Sequence, residues 1–207
     1  MDNLNKTMYV TGNSIKVEDM RKVLGENIDL FKTNVEEIQG NPLRVSEDKI
    51  RKIFLEKGSV DVACEDTSFG HGKLAVVVKD FVETCSLYEG DLFNVMKAIA
   101  PKETNVDYTS ILSFKNSSYE AFFECVMVCE LCPRTAKGGI DPFAIPIEFT
   151  LVQHINGVRT VLIEKQKIDN PNKQSIAQQP EKRDLIHPRY FALRAYYEWH
   201  QHNVLRE

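Results

Sequence analysis

Two adjacent carboxylates, Glu65 and Asp66, follow the apolar run "VDVAC" and precede Thr67. Carboxylate oxygens placed side by side suit a hard cation such as magnesium, which prefers oxygen ligands and often bridges to substrate phosphates. A solvated acidic turn has the same composition. Glu36 and Glu37 form a second acidic pair in "EEIQGNP", and a carboxylate from it completes a metal site if the fold brings it beside Asp66. Anion chemistry is marked elsewhere. In "VTGNSIKVEDM" the loop Thr11-Gly12-Asn13 leads into a helix whose first turn carries Lys16. A cation there faces the positive end of the helix dipole, a mismatch of about 0.3–1 kcal/mol, and an anion bound by Lys16 and the helix-start amides would offset it. Lys182, His187 and Arg189 cluster in "EKRDLIHPRYFAL" just before the last helix, a second set of donors for an anionic or hydrogen-bonding ligand. The "KGGIDPF" loop, with Asp141 before Pro142, has glycines that permit close backbone approach.

The elements that must position these groups read as an α/β opening followed by antiparallel strands. "TMYVT" (7–11) is a first strand, Asn13 and Ser14 have helix-start chemistry, and Val17, Met20, Val23 and Leu24 recur at helical spacing. "IDLFKTN" (28–34) is strand-like, Ser46 is the expected cap of the helix through "IRKIFLEK", and "VDVAC" (60–64) is a short strand with the carboxylates at its end. "KLAVVVKDF" (73–81) precedes a helix expected over Leu92 to Ala100. "TSILSF" and "YEAFFECVMVCEL" pair across "KNSS". "TLVQHI" and "VRTVLIE" flank Asn156-Gly157, the pair that suits a two-residue type I′ turn. Residues 167–183, rich in Asn, Gln, Pro and Lys, read as a flexible surface connection, and a final helix starts near Pro188 with Phe191, Ala195 and Trp199 on one face.

At 207 residues the chain can bury a full hydrophobic core. Its net charge of -4 argues against gripping nucleic-acid backbones. No apolar run approaches the roughly 18 residues of a membrane span, and "MDNLNKTM" lacks a signal-type hydrophobic segment. The expectation is a cytoplasmic protein with no nucleic-acid or membrane partner. Five cysteines without an export signal are expected to be reduced.

Taken in order, these segments resemble one family, the inosine triphosphate pyrophosphatases, which hydrolyse non-standard purine nucleoside triphosphates. The family pattern is a first-loop T-x-N-x-x-K, a loop glutamate, an acidic (E/D)-D-(S/T), an F-G-(W/Y)-D-P loop and a late E-K followed by S-H-R. Here it is matched by Thr11, Asn13 and Lys16, by Glu37, by Glu65-Asp66-Thr67, by "GGIDP" with Asp141, and by Glu181-Lys182 followed by "IHPR" with His187 and Arg189. The resemblance runs over most of the chain. It implies an α/β fold with a long mixed sheet, flanking helices and a cleft between two lobes, as one domain over 1–207 with an added hairpin around 150–165, assembled as a homodimer. It implies magnesium held by Glu37 and Asp66, water activated by Glu65 or Asp66, and a nucleoside triphosphate bound by Thr11, Asn13, Lys16, Thr67, Lys79 and Lys182, yielding monophosphate and pyrophosphate. Gly138 and Ile140 replace the family's aromatic residues, Ile186 replaces its serine, and Pro188 is inserted. An altered base preference follows from these changes, with a nucleotide-binding or regulatory protein of reduced turnover as the alternative.

"CVMVCELC" has the Cys-x3-Cys-x2-Cys spacing of iron-sulfur radical enzymes, but it punctuates a strand-like run, which places Cys125 and Cys129 on one face and Cys132 on the other. Buried free cysteine acting as a small hydrophobe is the preferred reading. His200 and His202, two apart on a helix, do not share a face as ligands would, and both are expected in solvent.

Overall fold

The computed structural model describes residues 7–25, 28–32, 35–38, 40–58, 60–71, 74–77, 105–132 and 144–204. Lys79, Asp141, Gly138, Ile140, Cys85 and the helix expected over 92–100 lie outside the described residues.

Two strand–helix units and a third strand open the described residues: β1 (Met8–Val10), α1 (Ser14–Leu24), β2 (Asp29–Phe31), α2 (Pro42–Lys57) and β3 (Val62–His71). β4 (Leu74–Val77), β5 (Asn105–Lys115), β6 (Glu120–Leu131), β7 (Ala144–Ile155) and β8 (Val158–Lys167) complete an eight-stranded sheet in the order β2-β1-β3-β5-β6-β7-β8, with β4 paired to β3. β1 lies parallel to both β2 and β3, and every later pairing is antiparallel, so the sheet is mixed. Two 3-10 turns, Ile176–Gln178 and Pro180–Lys182, lead into the short α3 (Arg183–Ile186) and the long α4 (Pro188–Asn203).

Side-chain alternation along the strands divides the core between two faces. Ala63, Leu112, Phe114, Phe123, Cys125 and Leu151 face α1 and α4, where Met20, Leu193 and Tyr196 pack on them. Val62, Cys64, Ile111 and Phe122 face α2 through Ile50 and Ile53. The end of α4 also docks on β1 through polar contacts: Tyr9 Oη lies 3.2 Å from Tyr196 Oη, and Thr7 Oγ1 lies 3.4 Å from His200 Nε2. His200 is therefore buried and enclosed by Phe114, Tyr196 and Trp199, contrary to the expectation of solvent, because the helix turns it inward onto β1; His202 is exposed. Burial lowers the His200 pKa to about 4.

Local chemistry explains most boundaries. Asn13 caps α1, its Oδ1 accepting from Ile15 N at 2.9 Å. α2 begins four residues before the expected Ser46: Asn41 is the cap, accepting from Arg44 N at 3.0 Å, and Pro42 takes the first helical position, where its missing N–H costs nothing. Ser46 is buried inside the helix. Asn156 and Gly157 have φ of 47° and 83°, as the hairpin requires. The 167–183 connection is more structured than expected, with Ser175, Ile176 and Gln179 buried and a capping box at Ser175 and Gln178. Cys125 and Cys129 are buried on the α4 face, where burial pushes their thiols up, and Cys132 follows the end of β6, half-buried. Among the described residues no helix is long and apolar enough to cross a membrane.

Candidate active site

β1 and β2 end where β3 continues, so the loops after β1 and β2 and the outer half of β3 meet at the carboxyl ends of the parallel strands, the usual place for a ligand in an α/β sheet. Glu65 and Asp66 stand at this junction, inside β3 rather than at its end: both pair with β5, Glu65 opposite Leu112 and Asp66 opposite Ile111. Being consecutive in a strand, they point to opposite faces. The two carboxylates therefore serve two different clusters.

On the α1 and α4 face, Glu65 is fully buried and every oxygen is used. Oε1 accepts from Ser110 Oγ at 2.6 Å and Thr67 Oγ1 at 2.8 Å, while Oε2 lies 2.8 Å from Lys16 Nζ and 3.1 Å from Arg189 Nε. Burial alone raises a carboxyl pKa; Arg189 and Lys16 more than reverse this and hold Glu65 well below the usual carboxylate range. Lys16 also donates to the Glu65 carbonyl at 2.7 Å. Its anion in this structure is thus Glu65.

Arg189 is shared. Its Nη1 donates to Asp19 Oδ2 at 2.6 Å and its Nη2 to Thr67 Oγ1 at 3.2 Å. Asp19, buried on α1, also accepts from Arg183 Nη1 and, at 2.8 Å, from Tyr190 Oη. Next to this set, His187 caps α4, Nδ1 accepting from Arg189 N at 3.1 Å. With Nδ1 an acceptor, the neutral ring carries its proton on Nε2, which lies 2.7 Å from Tyr108 Oη. Burial, then Arg189 and Arg183, push the His187 pKa well below its ordinary value. Phe69 stacks on Tyr108 with centroids 4.4 Å apart.

On the α2 face, Lys49 Nζ donates to Glu37 Oε1 at 2.8 Å and to Asp66 Oδ1. The fold brings Glu37 beside Asp66, as the sequence required for a shared cation. Burial works against the ammonium, but Asp66 and Glu37 outweigh it and hold the Lys49 pKa above the ordinary lysine value. Among the described residues Asp66 Oδ2 is buried without a partner, as are Ser46 Oγ and Ser68 Oγ, and these residues line a cavity with Pro42, Val45, Thr67 and Ile111. An orphaned carboxylate oxygen beside two hydroxyls and a second carboxylate is a donor set that fits magnesium and its waters.

The structure thus gathers Lys16, Glu65, Thr67 and Arg189 into one network and Glu37 and Asp66 into another. Thr11 and Asn13 sit at the same edge, where Thr11 Oγ1 accepts from Asn13 N at 3.2 Å. Lys182 is exposed, and it is the next residue, Arg183, that reaches Asp19. Sequence reading missed Lys49, Asp19, Arg183 and Ser110. The only sequence sign of Lys49 is its place in the run Lys49, Arg51, Lys52 of an amphipathic helix, which looks like a solvated face.

The sequence matches no protein-family model and no curated protein. The fold does have counterparts. A Ham1 protein from Staphylococcus aureus superposes with a TM-score of 0.65 at 13% identity, over 93% of this chain and 98% of that one. A HAM1 protein from Coxiella burnetii gives 0.61 at 12%, over 91% and 95%. Identity this low speaks to architecture. The mixed sheet flanked by helices gives this chain the α/β fold of the Ham1 proteins, the fold that the motif resemblance to inosine triphosphate pyrophosphatases implied.

Proposed function

We propose that the chain is a magnesium-dependent nucleoside triphosphate pyrophosphatase, converting a non-standard or modified nucleoside triphosphate such as ITP, dITP or XTP to its monophosphate and pyrophosphate. The observation that carries this reading is convergence: motif residues from four separate segments, around Lys16, Glu37, Asp66 and Arg189, meet at the carboxyl ends of β1, β2 and β3.

The two clusters support a division of labour. On the α1 and α4 face three cations, Lys16, Arg183 and Arg189, stand against two carboxylates, Asp19 and Glu65, and the surplus charge favours an anion. On the α2 face one cation stands against two carboxylates, and the deficit favours a metal. Glu37 and Asp66 are the residues that would hold magnesium, which when bound supplies charge neutralisation on phosphate oxygens and acidifies water. Asp66 is the candidate base for the attacking water, because Glu65 is locked by four partners and is too weak a base to take a proton. Lys16 and Arg189 would offset charge growing on the phosphate chain, with Thr11, Asn13 and Thr67 completing the phosphate end. Lys79 and Lys182 are assigned to the same triphosphate, and Asp141, His187 and the changed Gly138 and Ile140 to the base, where the altered preference arises. A cytoplasmic homodimer of two-lobed subunits, with the hairpin around 150–165 as an addition, completes the reading.

The test is release of pyrophosphate from a panel of standard and damaged nucleoside triphosphates, with magnesium, by wild type and Asp66→Asn. Turnover by wild type that is lost in the variant is the expected result. No turnover of any substrate alongside measurable nucleotide binding would overturn the enzyme reading.

A further inference from the structure

We infer that Lys49 occupies the cation site of the free protein, closing the Glu37–Asp66 pair with its ammonium, so that Lys49 and a divalent metal are mutually exclusive occupants of one position. This deepens the reading above and rests on its assignment of Glu37 and Asp66 to the metal.

Glu37 Oε1 and Asp66 Oδ1 both reach a single atom, Lys49 Nζ, so the two carboxylate oxygens converge on one point. A metal bound by the same two oxygens needs that point. The site is partly closed, with Lys49 and Asp66 side chains 17% exposed and Glu37 26%, which leaves little room for both cations. Independent of the acidic pair, the hydroxyls of Ser46 and Ser68 are more than nine-tenths buried and, among the described residues, unpartnered. They border, with Asp66, a cavity of about 10 Å³ open to the centre of a water molecule, which is room for about one water ligand. Asp66 thus meets the ammonium through Oδ1 and shares a cavity with unused hydroxyl oxygens, while Glu37 meets the ammonium alone.

Lys49 can leave without dismantling the site. Its flexible four-carbon stem lets the ammonium swing while its backbone stays in α2. The loop carrying Glu37 has a second tie to the same helix, Lys52 Nζ donating to the Glu36 carbonyl at 3.0 Å. In the free protein the ammonium also relieves repulsion between two close carboxylates. Metal entry therefore exchanges one cation for another.

The test uses manganese as the probe, with no nucleotide, counting free Mn2+ by electron paramagnetic resonance for wild type, Lys49→Met, Lys49→Gln and Lys16→Met. Both Lys49 variants should bind Mn2+ at least about tenfold more tightly than wild type, and Mn2+ should raise their Tm more. Lys16→Met, which removes a cation from the opposite face, should stay close to wild type. Folded Lys49 variants that bind no more tightly, or an equal gain in Lys16→Met, would overturn the exchange. A second readout follows the lysine ammonium signals by NMR: the Lys49 resonance should move in step with Mg2+ occupancy, and one that stays fixed at saturation sinks the idea. Neither readout involves turnover, so loss of the pyrophosphatase reading by itself leaves this result intact.

Discussion

Glu65 and Asp66 are consecutive on β3 and face opposite sides of the sheet, one held by Lys16 and Arg189, the other by Lys49. What reads in the sequence as a single acidic pair is two sites back to back. Substitution should separate them. Glu65→Gln leaves Lys16 and Arg189 facing a neutral group and should destabilise the fold by about 3–5 kcal/mol, the usual cost of breaking a buried ion pair from one side. Asp66→Asn should cost far less stability while removing turnover. Chemical denaturation paired with pyrophosphate release checks both.

Asp19 should behave as a positioning residue for Arg189. It holds two guanidiniums and the Tyr190 hydroxyl. Asp19→Asn should raise KM for the triphosphate by about tenfold with a smaller fall in kcat, whereas Asp19→Glu should recover part of the loss. Steady-state kinetics on the best substrate of the panel decides this.

Acid should weaken the docking of α4 before it touches Glu65. His200 has a folded pKa of about 4, below the ordinary 6.5, so the unfolded chain takes up its proton first as pH falls. Its contribution to stability is complete above about pH 6.5 and is lost as pH drops toward 4; His187 acts in the same direction. Glu65 has the same ordering of states in a more acidic window: its stabilisation is complete above the ordinary carboxylate range and is lost as pH falls below it. Denaturation midpoints at pH 7, 5.5 and 4.5 should fall more steeply for wild type than for His200→Gln.

Gly157→Ala should destabilise by about 1–2 kcal/mol, because φ of 83° disfavours any Cβ although, among the described residues, nothing lies within 4 Å of the place it would take. Pyrophosphate release at 25 °C should be unchanged. Thermal melts and activity on the same preparation test the pair of expectations.

Features set by local chemistry could be read directly. Asn156-Gly157 dictates its turn, Pro188 its helix start, and the strand alternation of the "CVMVCELC" run its two buried thiols. Site features set by long-range placement could not. Ser46 has cap chemistry, but Asn41, followed by Pro42, has it five residues earlier and prevails. Asp19 sits in "VEDM", where only the packing of α4 against α1 shows that it is buried. Lys49 looks like its neighbours Arg51 and Lys52 until β3 brings Asp66 against it. The sequence marks Lys16 as a cation in need of an anion, and no local signal could show that Glu65 supplies one internally.

The contacts that dock α4 on β1 join positions 187 and 193 residues apart, Tyr9 with Tyr196 and Thr7 with His200. Arg189 lies in the first turn of the same helix, so the Lys16–Glu65–Arg189 network and this dock close together. Such separations slow folding, because a long loop must be closed before any contact rewards it. On the ribosome β1 must wait, unpaired with its helix, until residue 200 has emerged. Completion of the candidate site would thus come after translation of this stretch, in one late step.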